Sequence, residues 1–123
     1  MKTIKIIVTV LALALTTGVY AQKKAKVIKL EQTSGAFTQE KLELKPGKYV
    51  FEVTNKDVDH EVAFVLAPKK ETIGEEDFIQ AAFLATPVAD GQSAQSKEVT
   101  LAKGEYVYFC PMNPTPKYTI TVK

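Results

Sequence analysis

The chain has 123 residues, 46% hydrophobic and 24% charged, with a formal net charge of +2. That is enough for one small core, and no basic block of the kind that tracks a phosphate backbone is present, so nucleic acid is excluded as a partner. Cys110 is the only cysteine, which excludes an internal disulfide.

The first element is a leader. Lys2 and Lys5 precede an apolar run from Ile6 to Leu15, Thr16-Thr17-Gly18 breaks it, and Val19-Tyr20-Ala21 supplies a small-residue cleavage pattern. A basic n-region, an h-region and an A-x-A-like site predict a signal peptide over residues 1–21, cut after Ala21. The run is short for a membrane span, which needs about 20 apolar residues. No second long apolar run follows, so no membrane insertion is expected after leader removal, and the product is expected to be periplasmic or secreted. Cys110 lies far from the leader, so no lipid anchor is expected. Without Lys2 and Lys5 the chain carries 14 lysines against 14 acids, a net charge near zero from Gln22 onward.

Residues 22–123 read as one mostly β domain. Lys26–Gln32 alternates and predicts a strand, with Thr33-Ser34-Gly35 as a turn. Lys41–Leu44 alternates again, and Pro46 and Gly47 supply turn chemistry before a strand over Tyr49–Val53. Thr54–Asp59 is a polar loop, and Glu61–Leu66 a further strand. Over residues 75–85 the periodicity of Phe78, Ile79, Ala82 and Phe83 predicts a short amphipathic helix, with Glu75, Glu76 and Asp77 in its first turn. Gly91-Gln92-Ser93 reads as loop. Strands are predicted over Ser96–Ala102, Tyr106–Phe109 and Lys117–Lys123, with a proline-rich loop, Pro111–Pro116, before the last. Six or seven short strands with turn signals between them argue for a β sandwich.

Soft-ligand chemistry beyond the leader is restricted to His60, Cys110 and Met112. Each has a plain structural reading. His60 reads as a loop histidine bonded to a neighbour, Cys110 as a small buried hydrophobe and Met112 as a gap filler. Asn113 reads as a turn residue. No Ser-His-acid spacing stands out, and a single histidine has to serve every purpose, so no enzyme activity is expected.

Two segments carry a family resemblance. Leu44-Lys45-Pro46-Gly47-Lys48-Tyr49-Val50-Phe51-Glu52-Val53-Thr54-Asn55, with His60 five positions on, resembles the first half of a cupredoxin. Val99–Cys110, with Gly104-x-Tyr106-x-Tyr108-x-Cys110, resembles the second half, and Thr119–Val122 the closing strand. The resemblance implies a cupredoxin-like Greek-key β-sandwich with the helix inserted between the halves. It implies that Asn55 opens a loop, that His60 is the first copper ligand and that Cys110 is the copper thiolate.

The chain departs from the family pattern beyond Cys110. Amicyanin-like members read Cys-x-x-His-x-x-Met, and here those positions hold Asn113 and Pro116. At the longer plastocyanin-like spacing the Met position holds Tyr118. Cys110-Pro111-Met112-Asn113-Pro114 also resembles the Cys-Pro-Met-His-Pro motif of some heavy-metal-binding domains, again with Asn113 in place of His. What remains is a metal site of His60, Cys110 and Met112, a soft set that suits Cu(I) better than Cu(II). This reading gives copper handling or electron transfer, with a redox or copper-exchange protein as partner. The competing reading is a metal-free interaction module of the same fold. The two differ in whether His60 converges on the Cys110 sulfur.

Overall fold

The computed structural model describes residues 25–39, 41–113 and 115–123. The expected signal peptide, residues 1–21, lies outside them. Nine strands follow in order: β1 (Lys26–Thr33), β2 (Ala36–Phe37), β3 (Lys41–Leu44), β4 (Gly47–Asn55), β5 (Val65–Pro68), β6 (Ser93–Gln95), β7 (Val99–Leu101), β8 (Gly104–Phe109) and β9 (Tyr118–Val122). They form the expected two-sheet sandwich. One sheet runs β2-β1-β4-β6, with β7 also on β4, and the other runs β3-β9-β8-β5.

Alternation sets which face of each strand is inside. Tyr49, Phe51, Val53 and Asn55 of β4 point inward and are buried, as are Leu30 and Gln32 of β1. The opposite sheet contributes Leu66, Tyr108, Ile120 and Val122. Aromatic rings bridge the gap. Phe64 lies 5.1 Å from Phe51 and 5.8 Å from Tyr108 between ring centroids, and Phe37 meets Tyr108 edge-on at 4.9 Å.

β1 and β4 are parallel neighbours, paired from Lys26↔Tyr49 to Gln32↔Asn55. Their C-terminal ends therefore coincide at one end of the sandwich. The two-residue Ser34–Gly35 turn into β2 sits there, with Gly35 at a φ of 74°, the left-handed region that favours glycine.

The helix predicted over residues 75–85 does not form. Two short 3-10 turns, Glu75–Asp77 and Gln80–Ala82, stand in its place, with Phe78 and Ile79 extended between them. Beyond the short bonds that close these turns, the backbone bonds to other parts of the chain rather than continuing a helix. Ile79 N–H donates to Leu66 O at 2.8 Å, Ala85 N–H to Gln95 O at 2.9 Å and Lys97 N–H to Ala81 O at 3.1 Å. Tertiary hydrogen bonds override a weak local preference here. The strand predicted at Glu61–Leu66 begins only at Val65, because Val62 pairs instead with Val88 in an isolated bridge. β6 falls partly where a loop was expected. Ser96 separates it from β7: its Oγ accepts from Phe51 N–H at 3.0 Å, and its own N–H donates to Phe51 O at 2.8 Å.

Asp77 anchors the 3-10 segment. Its Oδ2 accepts from Gly74 N–H at 3.0 Å, and its Oδ1 pairs with Lys70 Nζ at 2.9 Å. The Gly74 bond, then the lysine, holds this carboxyl below its ordinary value. A depressed folded-state value means that the group's stabilisation is present above the unfolded value of about 3.9 and is lost as pH falls through the lower one. Asp77→Asn is therefore expected to flatten the stability-versus-pH curve below about pH 4 while leaving its slope at neutral pH unchanged. Denaturant midpoints of both proteins across the acid range check this.

Candidate metal centre

Three loops meet at the end of the sandwich where β1, β4 and β8 finish. The loop after β4 is shaped by Asn55, which is fully buried. Its Oδ1 accepts from Val58 N–H at 2.9 Å, and its Nδ2 donates to His60 O at 2.9 Å and to Val88 O at 3.0 Å. One side chain thus supplies the hydrogen bonds that an irregular backbone lacks. Asp57 takes a φ of 64° within this turn, and its N–H donates to Asp90 Oδ1.

Asn55 fixes the backbone of His60 but not its ring, which is exposed. Nδ1 lies 2.9 Å from Glu61 O. A carbonyl only accepts, so Nδ1 is the donor in this bond, which in the neutral ring leaves the lone pair on Nε2.

Cys110 follows β8 and is 2% exposed. Its Sγ accepts two backbone hydrogen bonds, from Ala63 N–H at 3.3 Å and from Asn113 N–H at 3.1 Å. Its own N–H donates to Thr115 Oγ1 at 3.1 Å. Ala63 lies three residues beyond His60, so the sulfur is seated against the segment that carries the histidine. Among the described residues no hydrogen bond joins the His60 ring to Sγ. Met112 is 46% exposed at the loop surface.

Asn113 is buried, and its side chain is turned into the β1–β2 hairpin. Nδ2 donates to Gln32 Oε1 at 3.1 Å and to Thr33 O at 2.8 Å, and Oδ1 accepts from Gly35 N–H at 2.8 Å. Its carbonyl oxygen is already engaged within the protein. Gln32, also fully buried, donates from Nε2 to Ala63 O at 2.6 Å. Sequence reasoning passed over Gln32. The signal was its place in β1: after Ile28 and Leu30, period-2 alternation puts it on the core face, where a polar residue is costly unless paired.

The structure thus gathers Cys110, Ala63, Asn113 and Gln32, with His60 and Met112 exposed on the adjoining loops. Copper is the metal that the sequence resemblance implies, and the fit can be read from the donors. Two N–H groups aimed at one sulfur complement the charge of a thiolate, the form in which cysteine binds metal. Nε2 of His60 keeps a free lone pair on an exposed ring, and Met112 brings an accessible thioether. No group of three His, Cys, Asp or Glu side chains placed to hold a metal occurs among the described residues. A metal held here would draw on the Cys110 sulfur and the single imidazole of His60, a soft donor set.

A two-sheet β sandwich that ends a strand on a buried cysteine, beside an asparagine-pinned histidine loop, defines a cupredoxin-like class of fold. Residues 5–122 match the family model for the cupredoxin-like domain, and the chain belongs to that family. Its fold is shared by auracyanin A, a "blue" copper protein from the green thermophilic photosynthetic bacterium Chloroflexus aurantiacus (14% identity, TM-score 0.64, 81% of this chain and 100% of that one). It is shared by dithionite-reduced auracyanin from Roseiflexus castenholzii (15% identity, TM-score 0.62, 80% and 98%). It is also shared by an azurin from the obligate methylotroph Methylomonas sp. strain J (14% identity, TM-score 0.58, 81% and 99%). No curated protein matches the sequence significantly.

Asn55 supports three hydrogen bonds from a fully buried position. Asn55→Ala leaves the Val58 amide and the His60 carbonyl to find new partners, while Val88 O keeps its bond from Val62 N–H, and is expected to cost about 2 kcal/mol. Asn55→Asp removes only the donors and is expected to destabilise as well. Urea denaturation followed by tyrosine fluorescence measures both.

Proposed function

We propose that this protein is an exported, cupredoxin-type copper-handling protein that binds Cu(I) through Cys110 and His60, with Met112 as a further donor. The observation that carries this reading is the pair of backbone N–H bonds to Cys110 Sγ. They fix the position of the sulfur and leave it a lone pair for a soft metal. His60 brings the proton-free Nε2 on a ring whose backbone is held by Asn55. Met112, exposed and unbranched, adapts its position easily. Bound copper supplies a soft, one-electron redox centre.

An open cleft of about 510 Å³ lies against Ala63 and Pro111, walled by Phe78, Phe83 and Leu84. It offers a partner apolar contact next to the peptide that bonds the sulfur. This suits exchange of copper or of an electron with another protein, the partner class proposed here. With the signal peptide expected over residues 1–21, this work takes place outside the cytoplasm.

A second reading has a specific observation in its favour. The His60 ring is turned to Glu61 O, and Asn113, in the second-histidine position of the family motif, is spent on the hairpin. On that reading the chain is a metal-free interaction module. A Cu(I) competition titration on the reduced protein separates the two. One-to-one binding is expected, abolished in Cys110→Ser and weakened at least 10-fold in His60→Ala. Binding at background level, unchanged in both variants, sinks the copper reading. An intense blue thiolate band on Cu(II) addition would instead indicate an ordinary electron-transfer site.

A further inference from the structure

The hydrogen bonds around Cys110 close on themselves. Sγ accepts from Ala63 N–H, Ala63 O accepts from Gln32 Nε2, Gln32 Oε1 accepts from Asn113 Nδ2, and Asn113 N–H returns to Sγ. The four residues come from three separate parts of the chain: β1, the stretch before β5, and the loop after β8. Gln32, Asn113 and Cys110 are respectively 0%, 3% and 2% exposed. The two bonds of Asn113 in this ring are buried, and the two of Ala63 are half-buried.

We propose that Gln32 is the positioning residue of this centre: its amide spans Ala63 and Asn113 and so aims both N–H donors at the Cys110 sulfur. The proposal rests on the reading of Cys110 as the metal-binding sulfur.

The geometry supports the assignment in three ways. First, Gln32 occupies an inward strand position where an apolar residue would pack without needing partners. Its burial is tolerable only because Nε2 and Oε1 are both engaged. Second, the two ends of its amide are not interchangeable. One donates to a carbonyl and the other accepts from an NH₂, so the ring fixes the orientation of the side chain and of everything attached to it. Third, Asn113 is held by the hairpin as well, through Thr33 O and Gly35 N–H. The loop after Cys110 is thereby tied to β1 independently of any metal. In metal sites, the partners that orient the ligands change affinity by about 10–100-fold when removed.

The test uses the reduced, metal-free protein. Amide hydrogen exchange is followed by NMR in the wild type, Gln32→Met and Gln32→Glu. Gln32→Met keeps the length of the side chain and loses both hydrogen bonds. The amides of Ala63 and Asn113 are expected to exchange at least 10-fold faster, while the amides of β4 and β8 keep their protection. Gln32→Glu, measured above the pH at which its buried carboxyl ionises, still accepts from Asn113 but gives nothing to Ala63 O. It is expected to release the Ala63 amide alone, and it serves if Gln32→Met does not fold. Unchanged exchange at Ala63 and Asn113 overturns the proposal. Uniform acceleration across both sheets also overturns it, because Gln32 would then act only through global stability.

Cu(I) titration is the second arm. The folded variants are expected to bind about 10-fold more weakly than the wild type. If the wild type takes up no Cu(I), the copper reading fails, and the exchange pattern still decides the ring. If the wild type binds and the variants bind as tightly, the ring does not serve the metal and the proposal falls.

Discussion

The contact on which the rest of the structure depends is the aromatic bridge between the sheets. Phe64 lies between Phe51 of β4 and Tyr108 of β8, and it belongs to neither sheet. The chain crosses from one layer to the other at this point. With Phe64 buried and Val62 paired to Val88, this stretch is displaced from the second sheet, and the strand pairs regularly only from Val65. The same displacement brings the Ala63 N–H within reach of Cys110. A feature of core packing thus decides what the cysteine sulfur meets. Burial of rings this large dominates the energetics of a small core.

Polar order at the loop end is built on this apolar base. Asn55, Gln32 and Asn113 are the buried polar residues of the described chain, and all three lie at the ends of β1, β4 and β8. Their bonds engage backbone and side-chain groups of the loops that gather there. No buried side-chain nitrogen or oxygen lacks a partner among the described residues. Fully satisfied networks of this kind select one arrangement over its near neighbours. The loop that follows Cys110 is therefore held in one place by the protein itself.

Much of the fold was legible in the sequence. Period-2 alternation located β1, β3, β4, β8 and β9 to within a few residues, and the Gly-x-Tyr-x-Tyr-x-Cys strand placed Cys110 at the end of β8. Residues 75–85 were misread because Phe78, Ile79 and Ala82 satisfy a helical period while the sheets compete for their backbone. That competition involves Leu66, Gln95 and Lys97, far away in sequence, and no local pattern records it. β6 was missed for a related reason: Ser93 and Gln95 are exposed and polar, so the strand exists only because β4 offers an edge. At the centre itself, the residues with the expected chemistry were plain, whereas the groups that surround the sulfur were not. Two of its donors are backbone amides, which carry no side-chain signature, and Gln32 is informative only once β1 is known to face inward.

The ring around Cys110 has a consequence for how the chain folds. Its closing bond joins residues 81 positions apart, and the bond from Ala63 to the sulfur spans 47. Contacts at such separations form late, because a long loop must close before they stabilise anything. The polar ring around the sulfur is therefore complete only once β1, the stretch before β5 and the loop after β8 have met. The order around this cysteine is a product of the whole sandwich, and no fragment that lacks β1 or the loop after β8 can reproduce it.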